Sequence, residues 1–394
     1  MTSADWGLLD PAGAGSFDLT SDDAVLAAMV NVEQAILFAW AAEDGADQGS
    51  VPHFSHLAET SKADIRSGVE RDGIAVLAVV STLRAQIEEA GHSAGRLHAA
   101  ATSQDILDSA LVLVAQGALV RAREQLADAG ARLAVLADRH RMALRLATTL
   151  GRSAAPSTLG ILFAGWLDNV TSAIEAVDRL RFPVQYAGPV GSGEQADRLA
   201  HRVGASGQLR AQIAEFLALS DPHRSWQTDR TPLLEIAFGA ATVCANAGRI
   251  GRDLTAVSRD GGAEVELTGG GGSSAMAHKR NPVDAIVLTT AGLQAPGLLA
   301  TITASAVFAD ERPAGEWHAS WSPFRQLVRL AESAATGMNR AVGGLTVHPA
   351  VSLTALGAAD GVERSDSDTA AAAGAIVDAA LRRFTAISRR EDDR

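Results

Sequence analysis

The sequence lacks several features that are typical of secreted, metal-binding and membrane proteins. It contains one cysteine, Cys244, in 394 residues, which excludes an intramolecular disulfide framework and a cysteine-rich metal site. A reducing compartment, the cytoplasm, is therefore predicted. The N-terminus has no basic segment followed by an apolar run, and no stretch offers about twenty uninterrupted apolar residues. We expect neither a signal peptide nor a membrane partner.

Positive charge is also scarce. Lys and Arg number 34 against 46 Asp and Glu, for a formal net charge of -12, so the chain as a whole repels a nucleic-acid backbone and no nucleic-acid partner is expected. A few cations in a dry cleft outweigh distant surface charge, so an anionic small molecule is compatible with this total. The sequence has no HExxH motif and no paired Cys/His spacing, and we predict no metal.

A strand signal is missing, because aromatic residues make up only 4% and β-branched residues rarely alternate with polar ones. Apolar residues instead recur at three- and four-residue steps, which predicts an all-α fold. Thr102 and Asp105 have the spacing of a capping box at the start of the longest helix. Such long helices leave wide apolar faces in a monomer, so an oligomer is predicted. The predicted helices are 21–43, 72–90, 103–144, 156–184, 232–257, 282–309 and 320–342.

Two turn-rich segments divide the chain into three predicted parts. One segment lies near residue 100, and the other lies near residue 345, where long helices give way to GGLTVHPAVS. Residues 1–100 are predicted to form an N-terminal helical domain, 101–345 a central bundle of long helices, and 346–394 a short C-terminal helical domain.

The strongest chemical signal is the segment 268–282, TGGGGSSAMAHKRNP. Glycines let backbone amides approach a ligand closely, and the cations that follow can neutralise carboxylates. A serine hydroxyl in such a field can give up its proton. The plainer interpretation is a flexible surface linker before the helix that opens near Pro282.

The continuation of this segment decides between the two interpretations, because it resembles GSSxMPxKxNP, the signature of the fumarase/aspartase superfamily. The form SSAMAHKRNPV is similar to the branch of adenylosuccinate lyase and bacterial 3-carboxy-cis,cis-muconate cycloisomerase, with Ala277 in place of the usual proline. The resemblance implies a catalytic pair, Ser274 and Lys279, in which Ser274 exchanges a carbon-bound proton. By the same resemblance, substrate binding falls to Ser273, Asn281, Arg280 and His278.

A second segment, HAAATSQDILDSA from His98, resembles HxGATSQDIxDTA of the same branch. The resemblance assigns Thr102 and Ser103 to a substrate carboxylate at a helix N-terminus, where unpaired amides favour anions. It makes His98 a candidate catalytic residue, with a plain turn residue as the alternative. For Asp105 and Asp108, helix capping is favoured over a catalytic part.

A third segment, ATTLGRSAAPSTLGILFAGWLD from Ala147, matches the superfamily only in part. Its right half resembles PxTFGLKAAGWLD of the cycloisomerases, whereas Thr148 stands where arginine is usual and Arg152 where glutamine is usual. Arg152 is a predicted substrate contact. No histidine occurs between His140 and His201, so the acid/base partner that fumarate-releasing members draw from this region is missing. Adenylosuccinate lyase is therefore disfavoured.

Two more segments favour the cycloisomerases. SWQTDRTPLLEIA keeps Arg230 of the cycloisomerase pattern but has Asp229 for a glutamine, and ERPAGEWHASW resembles ERxxGxWHxEW. Arg230, Trp317 and His318 are predicted to contact substrate, with helix packing as the alternative for the tryptophan.

Together the resemblances imply a three-part all-α chain, a homotetramer whose sites draw on several subunits, a small polycarboxylate substrate and no cofactor. The predicted reaction converts 3-carboxy-cis,cis-muconate to a carboxymuconolactone in protocatechuate degradation, through a carbanion stabilised by a carboxylate. Alternatives are a fumarate-releasing C–N lyase, a lyase on another polycarboxylate, and a catalytically silent structural member of the superfamily.

Overall fold

The computed structural model describes residues 7–47, 49, 51–54, 59–259, 263–268, 271–349 and 366–392. In chain order the helices are α1 (Phe17–Thr20), α2 (Asp22–Glu43), α3 (Glu59–Asp72), α4 (Val76–Glu89), α5 (Ser103–Arg139), α6 (Leu159–Asp178), α7 (Glu194–Leu199), α8 (Ala205–Phe216), α9 (Thr231–Val257), α10 (Val283–Ala304), α11 (Glu316–Gly343) and α12 (Asp366–Asp392). The strands are β1 (Leu144–Thr149), β2 (Arg152–Thr158), β3 (Val265–Leu267) and β4 (Leu345–Val347).

Three of the long helices, α2, α5 and α6, begin at side chains that satisfy unpaired backbone donors. The Ser21 hydroxyl accepts the N–H of Ala24 at the start of α2, at 3.2 Å. At the start of α6, the Thr158 hydroxyl accepts an N–H at 3.1 Å. The Asp105 carboxylate accepts the N–H of Thr102 at 2.9 Å, which forms the carboxylate half of the predicted capping box. The all-α prediction is confirmed.

Two small antiparallel sheets interrupt the helices where the sequence predicted helix or loop. The predicted helix 103–144 ends at Arg139, and β1 then pairs antiparallel with β2. Leu150 and Gly151 form the turn with φ of 50° and 74°, the left-handed geometry that a tight two-residue hairpin requires. Leucine rarely adopts it, so the sequence carried only half of the turn signal. The second sheet pairs β3 with β4, which lie before α10 and after α11 in the chain.

The core lies between the long helices α5, α6, α9, α10 and α11, which pack side by side. Helices α9 and α10 come closest at two glycines. A Cβ built on Gly248 would lie 2.9 Å from the Cα of Gly292, so the two backbones nearly touch there.

This contact leads to a stability prediction. Gly248→Ala is expected to lower the free energy of unfolding by about 1–3 kcal/mol, because the added methyl group must push two packed helices apart. Chemical denaturation measures the change. Gly117→Ala is the matched control, since nothing lies within 4 Å of a Cβ at that position of α5, and it should be neutral or stabilising. Equal stabilities for the two variants would contradict the close approach.

The C-terminal helix α12 packs on the central bundle. Arg383 donates to Asp168 at 3.1 Å and to Glu175 at 3.0 Å, both on α6. The ring of Phe384 packs against Gly130 of α5. A Cβ built on Gly130 would lie 2.3 Å from the nearest carbon of that ring. Residues 350–365, which fall in the predicted C-terminal domain, lie outside the described residues. The division into three domains stays a prediction.

Among the residues that the structure describes, three helices are long and apolar enough to cross a membrane by length and composition: α2, α9 and α10. No such segment was predicted from the sequence, because no apolar run of about twenty residues is uninterrupted. The most apolar windows of α2 and α9 are 67% and 56% buried, whereas that of α10 is only 28% buried. Val283, Ile286 and Leu293 of α10 are exposed, so a single chain leaves an apolar face of α10 uncovered.

Candidate active site

The N-terminal end of α5 is built around a buried ion pair. The Asp108 carboxylate accepts two hydrogen bonds from the Arg230 guanidinium, at 2.6 and 2.9 Å. It also accepts the indole N–H of Trp317 at 3.0 Å and the side-chain amide of Gln104 at 3.1 Å. Asp108 is therefore held by three partners.

This arrangement changes the interpretation of three predicted residues. Arg230 is 4% exposed and Trp317 is 1% exposed, and both direct polar groups at Asp108. In the single chain they hold the start of α5 against α9 and α11, which is the packing role that was the alternative for Trp317. Asp108, for which capping was favoured, instead forms an ion pair with Arg230 and accepts a hydrogen bond from Trp317.

Asp105 ties the same helix end to the loop at residues 187–188. Its carboxylate accepts the N–H groups of Thr102, Ala187 and Gly188 at 2.9–3.0 Å, and the side chain is fully buried. Burial raises the pKa of Asp105 to about 6, against the opposing effect of these three hydrogen bonds and of nearby His98. The capping role favoured from the sequence is confirmed.

His98 is fixed just before this helix by a carboxylate of α2. Glu33 accepts from the backbone N–H of His98 at 3.1 Å, and its other oxygen lies 2.6 Å from Nδ1. Burial disfavours the imidazolium, but Glu33 outweighs it and the pKa of His98 is raised. His98 lines a surface hollow together with Ser103 of α5 and Arg84 of α4.

The three residues predicted at this end thus lie together. Thr102 is buried and Ser103 is partly exposed, and both stand at the first turn of α5 beside His98. A carboxylate in the hollow would meet a hydroxyl, a ring nitrogen and the positive end of a long helix.

The serine loop, residues 271–281, is closed at its base by paired backbone hydrogen bonds. Gly271 and Asn281 exchange N–H to O contacts at 2.9 and 2.8 Å, and the Asn281 side-chain amide donates to the Gly272 carbonyl at 3.2 Å. In this structure Asn281 therefore clasps the loop. Gly269 and Gly270, the first two glycines of the motif, lie outside the described residues.

The two serines of the loop differ in their contacts. The Ser273 hydroxyl accepts from the N–H groups of Ala275 and Met276, at 3.4 and 3.1 Å, and so stabilises the turn. Over the part of the chain that the structure describes, no group is hydrogen-bonded to the Ser274 hydroxyl, and the residue is exposed. Of the two, Ser274 is the one available for chemistry.

The cations that follow Ser274 are also open to solvent. His278, Lys279 and Arg280 are all exposed, and within the described ranges no carboxylate forms an ion pair with any of them. The loop therefore presents a hydroxyl beside three basic side chains that have no acidic partner.

His318 lies at the first turn of α11 in an aromatic cluster. Its ring centroid lies 5.3 Å from that of Trp317 and 4.5 Å from that of Trp321. Partial burial and the charge of Arg312 lower the pKa of His318. Arg312 lies over the Trp317 ring at 4.8 Å. Arg312 belongs to the ERPAGEWHASW motif, but no role was predicted for it from the sequence.

The predicted residues fall at two opposite ends of the molecule. Trp317, at the start of α11, contacts Asp108, whereas Arg340, near its end, binds Asp284 at 2.8 Å just after the serine loop. The 23 residues between them, at 1.5 Å each, place the ends roughly 35 Å apart. One end carries His98, Thr102 and Ser103, and the other carries Ser274 and Lys279.

Arg152 belongs to the end that carries the serine loop. It is exposed on β2, opposite Thr149 of β1. Arg145 of the same hairpin binds Glu264, just before β3, at 2.8 Å. Asp229, the other departure from the expected contacts, accepts the N–H of Thr231 at the start of α9, at 3.0 Å. It therefore has a local capping role.

Comparison with known proteins accounts for this set of motifs. The model of a family described as lyase matches residues 27–297. The chain belongs to this lyase family, within the fumarase/aspartase superfamily. The predicted membership is confirmed, and with it the prediction that the protein is an enzyme of the superfamily.

Relatives of this lyase include two kinds of enzyme. The nitrosuccinate lyase of Streptomyces davaonensis is 34% identical over 358 residues, which cover 87% of this chain and 75% of that protein. The 3-carboxy-cis,cis-muconate cycloisomerase of Pseudomonas aeruginosa is 34% identical over 290 residues, covering 71% of this chain and 60% of that one. The 3-carboxy-cis,cis-muconate lactonizing enzyme of Pseudomonas putida has a similar structure, with a TM-score of 0.74, 26% identity, and coverage of 86% and 77%.

In the described parts of the chain, no group of three or more His, Cys, Asp or Glu side chains could hold a metal ion. The predicted absence of a metal and of a cofactor stays a prediction.

Proposed function

We propose that this lyase acts on a small polycarboxylate and forms or breaks a bond at the carbon next to one that bears a carboxylate. The observation that carries the proposal is the serine loop, which is closed at its base and carries both the Ser274 hydroxyl, without a hydrogen-bond partner among the described residues, and the exposed Lys279. In this proposal Ser274 exchanges the carbon-bound proton. A serine is too weak a base in water, so the loop must close over substrate, where amides and a cation favour the alkoxide.

The charge that develops on carbon spreads into the neighbouring carboxylate. Thr102, Ser103 and His98 supply donors for one carboxylate at the start of α5, and Lys279 and Arg280 supply positive charge from the loop. Groups already aimed at the developing charge lower the barrier without reorganising, and such preorganisation is usually the largest catalytic effect.

The first candidate substrate is 3-carboxy-cis,cis-muconate. One of its carboxylate oxygens would add to the diene, and the resulting carbanion would take its proton from Ser274 to give a muconolactone. The ERPAGEWHASW segment supports this candidate, as do relatives of that activity at 31–34% identity.

The second candidate is a succinate that carries a leaving group, with nitrosuccinate as the example. Ser274 would take the proton from one carbon while the C–N bond at the next carbon breaks, giving fumarate and nitrite. The similarity to nitrosuccinate lyase favours it, because that match spans 87% of this chain. The departures at Thr148, Arg152 and Asp229 from the cycloisomerase pattern agree with a changed substrate.

A parallel assay of the purified protein distinguishes the candidates. Carboxymuconate is followed by loss of diene absorbance, and nitrosuccinate by release of nitrite and fumarate. Adenylosuccinate and argininosuccinate, followed by fumarate release, test the C–N lyase alternative. We expect turnover of one of the first two. Inactivity with all four would support a catalytically silent member and contradict the proposal.

We also propose that the active unit is a cytoplasmic homotetramer with sites shared between subunits. The uncovered apolar face of α10 supports self-association. The rise of roughly 35 Å along α11, from the end at Asp108 to the end at Asp284 that follows the serine loop, supports sharing, because one chain cannot close both ends on one small substrate.

A further inference from the structure

A buried carboxylate lies behind the His98 end of the site, and no motif pointed to it. The Glu33 side chain is fully buried on α2, and its flanking residues Val32 and Ile36 are apolar and buried. A buried carboxylate is expensive unless it is paired and hydrogen-bonded. Both carboxylate oxygens of Glu33 contact His98. One lies against the ring Nδ1, and the other accepts the backbone N–H.

From this geometry, and on the basis of the proposed function, we infer that Glu33 is a positioning residue. It holds the His98 ring through Nδ1, so that a protonated Nε2 binds a substrate carboxylate in the hollow lined by Ser103 and Arg84. Glu33 itself does not touch substrate.

The backbone of His98 shows how closely Glu33 controls this residue. Its φ is 57°, a left-handed conformation that is uncommon for residues other than glycine, although histidine adopts it more often than most. The contact of 3.1 Å from the backbone N–H holds this conformation, and a purely structural role would need no more. The shorter contact of 2.6 Å to the ring is additional. It fixes the orientation of the ring and favours its protonated form.

The other charged and titratable groups around the ring come from several elements. Arg84 of α4 opposes the positive charge of His98, and Asp105 of α5 favours it. Tyr186, whose pKa is raised by burial, donates to the Ala99 carbonyl at 2.9 Å. Glu33 is the only carboxylate in the described residues that is hydrogen-bonded to the ring. It is therefore the group whose removal should change the charge of His98.

The sequence gives His98 added weight, since no histidine occurs in the third segment of the superfamily between His140 and His201. The remaining motif histidines, His278 and His318, are exposed. His98 is thus the motif histidine that the fold fixes through a buried partner.

Glu33→Gln tests the inference through pH dependence. Because His98 has a raised pKa, carboxylate binding should be strong below that pKa and weaken about tenfold per pH unit above it. In Glu33→Gln, burial acts without the opposing carboxylate, so the weakening should begin at least about one pH unit lower. At saturating substrate, kcat should change less than about threefold, and the loss should appear in KM.

Binding of tricarballylate, an unreactive tricarboxylate, provides a readout without turnover. Titration calorimetry between pH 5.5 and 9 should give the same shift for Glu33→Gln, and His98→Asn should remove the pH-dependent part. These measurements stand even if no candidate substrate is turned over, so the inference and the proposed function can fail separately.

Glu332→Gln is the matched control. Glu332 is also buried on a helix and binds a cation, Arg121, at 2.6 Å, but it does not contact His98. The Glu332→Gln variant should be less stable than wild type but should show the same pH dependence of carboxylate binding. A folded Glu33→Gln with an unchanged profile would overturn the inference. If Glu33→Gln does not fold, an unchanged pH dependence of tricarballylate binding in His98→Asn would overturn it instead.

Discussion

Ser274→Ala is expected to lower turnover by about a thousandfold or more while fold and assembly remain intact. The hydroxyl is exposed and no group in the described residues is bonded to it, so its removal disturbs no packing. Loss of a group that transfers the proton in the rate-limiting step removes an interaction made only in the transition state, and kcat falls more than KM changes. Steady-state kinetics with the accepted substrate measure this.

Ser273→Ala is the comparison that makes the prediction sharp. It removes an adjacent hydroxyl of the same loop, but one that stabilises the turn by accepting from Ala275 and Met276. We expect at most about a tenfold loss, since loop order suffers while the reacting group stays. If the two serines exchanged these effects, Ser273 would be the proton-transfer group and the assignment of Ser274 would be wrong.

Asp108→Ala is expected to destabilise the fold by about 3–5 kcal/mol, the range found when one partner of a buried ion pair is removed. The substitution leaves the Arg230 cation and the Trp317 indole N–H buried without their acceptor. Chemical denaturation at neutral pH gives the free energy of unfolding. Because the start of α5 carries Thr102 and Ser103, catalytic activity should fall together with the free energy of unfolding.

Two variants distinguish the loss of the buried ion pair from the effect of removing any carboxylate. Asp22 pairs with Arg325 at the surface and is 93% exposed, so Asp22→Ala should change stability little. The double variant Asp108→Leu with Arg230→Met should recover much of the loss, because it buries no unpaired charge. A loss below about 1 kcal/mol in Asp108→Ala would contradict this account, because it would mean that Arg230 and Trp317 are not left buried without an acceptor.

Helix positions and family membership were accessible from the sequence because both depend on local patterns. The predicted helix 21–43 appears as α2, and 232–257 as α9, each within a residue or two at its ends. The hairpin β1/β2 was missed, because its turn places Leu150 in a left-handed conformation that a leucine does not signal.

Roles at the site were less accessible, because a motif gives a position but not its neighbours. Arg230 and Trp317 match superfamily patterns, yet their polar groups are taken up by Asp108, which is distant in sequence. Glu33 lies in an ordinary apolar helix, and only the folded chain places it against His98. The separation of Ser274 from Thr102 also required the lengths and packing of α5 and α11.

Mixed assemblies provide the most direct test of the central claim, that the serine loop of one subunit closes over a polycarboxylate held at the His98 end of another. Ser274→Ala and His98→Asn chains with different tags would be co-expressed, purified through both tags and assayed well below KM, where loss of the carboxylate contact to His98 lowers the rate. With random mixing, about one quarter of the sites should combine an intact loop with an intact His98 end, and activity should return to about that fraction of wild type. Mixed assemblies as inactive as their parents would contradict the claim.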